Sequence, residues 1–192
     1  RLGLKVSFVT TSWPTLSADL KADKFDIAMG GVTETAARAK DFALSQPVVP
    51  NGKIALANCA AAPALGSLEK IDQPNVKVVV NPGGTNQSFV DEHIKQAQII
   101  RVKNNIDNLE ALRQKTADMM VTDLIEGVYY ESNEPGVFCV ANEQPFSGTA
   151  SFKVYMMNKD NPQLLDKVNQ WLASQDKNVL KQKWRIHDQL KP

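Results

Sequence analysis

The stretch VKVVVNPGGT, residues 76–85, decides how the chain is read. Valines at 76, 78, 79 and 80 make a nearly continuous β-branched run. Such a run suits a parallel strand buried on both faces. The PGG that follows stops the strand, and a helix near 85–95 comes next. The same rhythm repeats downstream. QIIRV (98–102) leads to a helix near 106–115, and ADMMVT (117–122) leads to the helix DLIEGVYYES. The units 76–95, 98–115 and 117–131 form a self-contained middle.

Working outward, LKVSFVTTS (4–12), FDIAMGG (25–31), KIALANC (53–59), VFCV (137–140) and SFKVYMMN (151–158) read as strands. A helix is expected around 15–22, and AAAPALG (60–66) reads as a loop. Leu164, Leu165, Val168, Trp171 and Leu172 fall on one face of a C-terminal helix. Val179, Leu180 and Trp184 continue that pattern in a second. The alternation predicts an α/β fold with mostly parallel sheets. The flanks must pair with each other, which gives two lobes. Residues 1–58 form the first part of lobe I, 59–143 form lobe II, and 144–192 complete lobe I. The chain then crosses between lobes near 57–61 and 140–146.

The chain has 192 residues, 43% hydrophobic and 22% charged, with a net charge of +1. That balance argues against a nucleic-acid surface or a polybasic membrane patch. No apolar run approaches the ~20 residues that span a bilayer, so no membrane insertion is expected. The chain opens at Arg1 and enters a strand-like run at once, so preceding residues are expected to be missing. Cys59 and Cys139 both fall at the expected crossings. That placement favours a disulfide over two free thiols, and both readings stay open. His93 and His187 lie in polar helical contexts and read as surface residues. No spacing of ligand residues suggests a metal site.

Ligands of open α/β sheets bind beyond the carboxyl ends of strands, so four junctions stand out. At NPGGTN the glycines permit close backbone approach, and the helix start favours an anion. Gly84, Thr85 and Asn86 are candidates there. The turn equally serves as a capped helix start. Arg38 follows the glycine-rich end of 25–31 and could take a carboxylate through two parallel bonds. Trp13, before Pro14, could stack on a ring or sit in a core. In VTDLIEG (121–127), Asp123 reads as a helix cap. Glu126 lies one turn on, on the same side.

Together the junctions carry a resemblance. Gly31, Thr33, Thr35, Arg38, Ser45 and Pro47, in the pattern G-x-T-x-T-x-x-R…S-x-P, resemble the type II periplasmic solute-binding proteins for amino acids. The resemblance covers nearly the whole chain and implies their two-lobe fold with a ligand cleft, here without the opening strand and helix. Several segments are similar to the periplasmic cyclohexadienyl dehydratases of that superfamily: TSWPTL, FDIAMGG, LEKIDQPNVKVVVNPGGTN, TADMMVTDLIE, and QPF followed by Lys153 and Tyr155. GGVTETAARAK is closer to binder spacing, and no acid directly precedes Lys153.

What the resemblance implies is a lyase acting on prephenate or arogenate, a small carboxylate substrate, without a cofactor or metal. Arg38 with Gly84, Thr85 and Asn86 would hold carboxylates, alongside Thr33. Trp13 would pack on the ring, and Lys153 would add positive charge. Asp123 sits where binders hold an α-ammonium group. Glu126 falls at the position of the general acid, and burial would raise its pKa from the ordinary value of about 4.3. The alternative is a periplasmic amino-acid or carboxylate binder serving a transporter. Export is implied in both cases. An incomplete lobe I would offer an edge for self-association.

Overall fold

The computed structural model describes residues 2–142 and 144–183. In chain order the elements begin with α1 (Leu16–Lys21), β1 (Ile27–Thr33), α2 (Ala36–Asp41), β2 (Ala43–Leu44), β3 (Val49–Asn51) and β4 (Lys53–Asn58). Next come α3 (Leu68–Ile71), β5 (Lys77–Val80), α4 (Thr85–His93), β6 (Gln98–Arg101), α5 (Asn105–Arg113) and β7 (Met119–Asp123). Last are α6 (Leu124–Asn133), β8 (Phe138–Val140), β9 (Ser151–Met157), α7 (Pro162–Ser174) and α8 (Lys177–Lys183). They fall into two compact units, Arg1–Pro50 with Ser151–Leu180, and Asn51–Ala150 with Lys181–Pro192.

In the first unit β9 lies at the centre of an antiparallel sheet, flanked by β1 and β2, with β3 also paired to it. Leu16 and Leu20, four apart on α1, pack with Ala28, Val32, Phe42 and Met156. This is the i, i+4 stripe that buries one face of a short helix. The β1–β9 register shifts between Ala28 and Val32. Gly31 in that bulge has φ +72°, a value glycine adopts without strain. α2 is capped by Thr35, whose Oγ1 accepts from the Arg38 amide at 3.1 Å.

In the second unit the strand order is β6-β5-β7-β4-β8. β5 runs parallel to β6 and β7, while β4 runs antiparallel to β7 and β8. Successive side chains of each central strand enter opposite cores. Val78, Val80, Met119, Val121, Ala55 and Ala57 face one. Val79, Met120, Ile54 and Leu56 face the other. The register sets Lys53 across from Asp123 and Ile54 across from Thr122. α6 lies close on β4 because residue 127 is glycine. A Cβ there would stand 2.5 Å from Ile54 Cδ1.

Cys59 and Cys139 form a disulfide with an S–S distance of 2.06 Å. It joins the end of β4 to β8, two hydrogen-bonded neighbours of one sheet. The cysteines therefore lie inside the second unit and not at a crossing. The chain passes between units at 50/51, 150/151 and 180/181, so β4 and residues 144–150 belong to the second unit. The expected parallel pairing holds for β5 with β6 and β7, and the remaining pairs described are antiparallel. Residues 4–12, expected as a strand, form none. His93 is exposed, as expected, with its ring tilted against Phe89 at 4.4 Å between centres. His187, Trp184 and the side chain of Leu180 lie outside the description.

Candidate functional site

In the second unit the site grows from the ends of β5 and β7 and the start of β4. β5 ends at Val80, and the chain turns through Gly83 (φ +80°) and Gly84 (φ +105°, ψ −176°) into α4. Both turn conformations suit glycine, and they bring Thr85 and Asn86 to the first turn of the helix. Lys53, on β4, reaches both. Its Nζ donates to Thr85 Oγ1 and Asn86 Oδ1 at 2.6 Å each, and to Asp123 Oδ1 at 2.8 Å. Asn51 Nδ2 donates to the same Asp123 oxygen at 2.8 Å.

The Lys53 and Asp123 side chains are only 8% and 6% exposed. A buried ammonium is tolerable only when an opposite charge and further acceptors replace its water. This network supplies both. It also changes two expected roles. Thr85 and Asn86 were expected to hold a carboxylate, yet toward Lys53 their side chains accept. Asp123 holds the N-cap position of α6, but its side chain makes no capping bond, because the carboxylate is drawn to Lys53 and Asn51.

Glu126 lies in the first turn of α6, part-buried. Its Oε2 accepts from Thr122 Oγ1 at 2.8 Å. Thr122 is 0% exposed. Tyr130, one turn further along α6, has its pKa raised, mainly by burial and next by the charge of Glu126. The two acids of VTDLIEG thus have different surroundings. Asp123 is neutralised by a lysine, and Glu126 is held by a hydroxyl.

In the first unit the cluster forms around the β1 bulge. Lys153, on β9 across from Thr33, is 2% exposed. Its Nζ donates to the Gly31 carbonyl at 2.7 Å and to Thr33 Oγ1 at 3.0 Å. Arg38 Nη1 donates to the Thr33 carbonyl at 2.8 Å, and its guanidinium lies 5.7 Å from the Trp13 ring centre. Trp13 packs against the core of this unit. Arg38, Thr33, Trp13 and Lys153 are therefore gathered at one place. In the other unit Thr85, Asn86 and Asp123 meet around Lys53, while Glu126 is bonded to Thr122, the strand neighbour of Asp123.

Sequence reading missed Lys53. A lysine opening the apolar run KIALANC was the available signal. Its acceptors stand 32, 33 and 70 positions away, beyond any local pattern. Among the described residues, no three or more His, Cys, Asp or Glu side chains converge as a metal site would need. No described helix is long and apolar enough to cross a membrane.

Residues 1–186 match the model of the bacterial extracellular solute-binding proteins, family 3. A cyclohexadienyl dehydratase of Pseudomonas aeruginosa is 36% identical over 171 residues, which are 89% of this chain and 63% of that protein. The chain thus spans under two thirds of the curated relative's length. A crystal structure of an ancestral amino-acid-binding protein, described as a precursor of cyclohexadienyl dehydratase, matches with a TM-score of 0.82 and 31% identity. The match covers 95% of this chain and 78% of that one. A lysine-bound ABC-transporter binding component from Wolinella succinogenes matches with a TM-score of 0.83 at 22% identity. That match covers 97% and 81% of the two chains and shows the fold alone.

Proposed function

For a chain that belongs to the bacterial extracellular solute-binding proteins, family 3, we propose cyclohexadienyl dehydratase activity. The reaction would convert prephenate to phenylpyruvate, or arogenate to phenylalanine. The observation that carries this reading is the separate treatment of two neighbouring acids. Lys53 already neutralises Asp123, while Glu126 is held by Thr122 in the first turn of α6.

Glu126, protonated, gives its proton to the ring hydroxyl of the substrate. The ring C–O bond breaks and water leaves. The bond from the ring to its carboxylate breaks in the same sense and releases carbon dioxide. Its electron pair enters the ring, which becomes aromatic. Water then returns a proton to Glu126. General acid catalysis of this kind contributes about 10²–10⁴-fold. Anchoring of the anionic groups supplies the rest through positioning and electrostatics. In the first unit Arg38, Thr33 and Lys153 are the proposed carboxylate anchors and Trp13 the face for a ring; in the second unit the Gly84–Asn86 turn is the proposed anchor.

The Lys53–Asp123 pair refines the substrate. An amino-acid binder offers a carboxylate to the ligand ammonium, and here a lysine ammonium already sits on that carboxylate. A keto acid suits this arrangement, which favours prephenate over arogenate. Location is read as the periplasm, in line with the extracellular character of the family.

A transport binder is the second reading, favoured by the named ligand-binding function of the ancestral neighbour. The test is to incubate the protein with prephenate, and separately arogenate, and follow the aromatic products. The Glu126→Gln variant runs alongside. Turnover by the native chain and loss of at least about 10²-fold in the variant, with binding retained, is expected. Tight amino-acid binding with no product from the native chain selects the binder.

A further inference from the structure

We infer that Thr122 is a positioning residue for Glu126. The residue lies in β7, whose preceding side chains are Met119, Met120 and Val121. All three are buried in apolar cores, and Thr122 is 0% exposed. A valine would fill such a position equally well by shape. A hydroxyl there needs a partner, since a buried unpaired one is costly. The partner is Glu126 Oε2, at 2.8 Å.

The contact spans the turn from strand to helix, four residues along. The residue between that could have competed for the same role is Asp123, and its carboxylate is engaged by Lys53 and Asn51. Gly127 keeps α6 close to β4, which holds the Thr122–Glu126 spacing from the other side. A glutamate has three side-chain torsions, so a part-buried carboxyl without an anchor would sample several positions. The threonine hydroxyl restricts that freedom. It donates to the carboxylate and, after rotation, accepts from the protonated acid. This contact therefore serves both states of an acid that must lose and regain a proton.

The role of Thr122 in turnover rests on the dehydratase reading; the contact itself does not. The test compares the native chain with Thr122→Val and Thr122→Ser in two measurements. The first is the titration of the Glu126 side-chain carboxyl by carbon NMR. Losing a hydroxyl donor to the carboxylate shifts that titration to higher pH in Thr122→Val, and Thr122→Ser restores it. The Asp123–Lys53 pair on one side and Tyr130 on the other are the same in all three chains, so the difference reads the hydroxyl. The second is turnover of prephenate. Thr122→Val loses about 10–100-fold in kcat with KM little changed, and Thr122→Ser recovers most of it. An unchanged Glu126 titration in Thr122→Val overturns the inference, as does a Thr122→Ser variant no better than Thr122→Val. Absence of product from the native chain would end the dehydratase reading, while the titration would still decide the contact.

Discussion

Lys53 is the residue whose environment most constrains the second unit. Its charge is buried and paired, and its hydrogen bonds tie β4 to the start of α4 and to the end of β7. Lys53→Met keeps much of the side chain's volume but takes from the buried Asp123 carboxylate the ammonium that neutralises it. The expected cost is about 3–5 kcal/mol. For a chain of this size each kcal/mol lowers Tm by about 2–4 °C. Adding Asp123→Asn to Lys53→Met should recover most of the loss, because the stranded charge and not the lost volume is the cause. Thermal unfolding of the two variants measures this, and a double variant no more stable than the single one would contradict it. None of this was legible in the sequence. Asp123 looked like a helix cap because a carboxylate before a helix usually is one. Only the antiparallel register of β4 on β7 puts a lysine in front of it.

At the scale of elements, the valines of β5 and the apolar positions of β7 were legible because their pattern is local. The direction of β4 was not, since an apolar strand fits either orientation. α2 and α3, of six and four residues, are too short to show a period. What fixes α6 on the sheet is one missing side chain. Gly127→Ala would press its Cβ against Ile54 Cδ1, in a side chain that is 0% exposed and has little room to yield. Overpacking of this kind costs about 1–3 kcal/mol. It should also tilt the turn that carries Glu126 and lower activity. Ile54→Val removes the Cδ1 carbon, so the double variant Ile54→Val/Gly127→Ala should regain stability relative to Gly127→Ala alone. Denaturant unfolding of the four chains completes the cycle, and simple additivity would show that the contact is not the cause.

At the scale of whole molecules, the first unit carries an apolar slot of about 560 Å³. Val6, Phe8 and Val9 line one side, Ile27, Met29 and Gly30 another, and Trp13 and Phe25 contribute as well. The sheet order places β1 at an edge. Residues 4–9 belong to no strand, and Leu4, Val6 and Phe8 are exposed, Phe8 at 96%. An exposed apolar run beside a slot can either cover it or stand clear of it, and substitution tells the two apart. Val6 and Phe8 are 71% and 96% exposed, so neither side chain is held in the slot. Val6→Lys/Phe8→Lys should therefore change stability by no more than about 0.5 kcal/mol, the range of surface substitutions. For a chain of this size that is a shift in Tm of about 1–2 °C. Thermal unfolding followed by circular dichroism measures it, and a loss of Tm well beyond that range would show that the run packs over the slot and contributes to this unit's core.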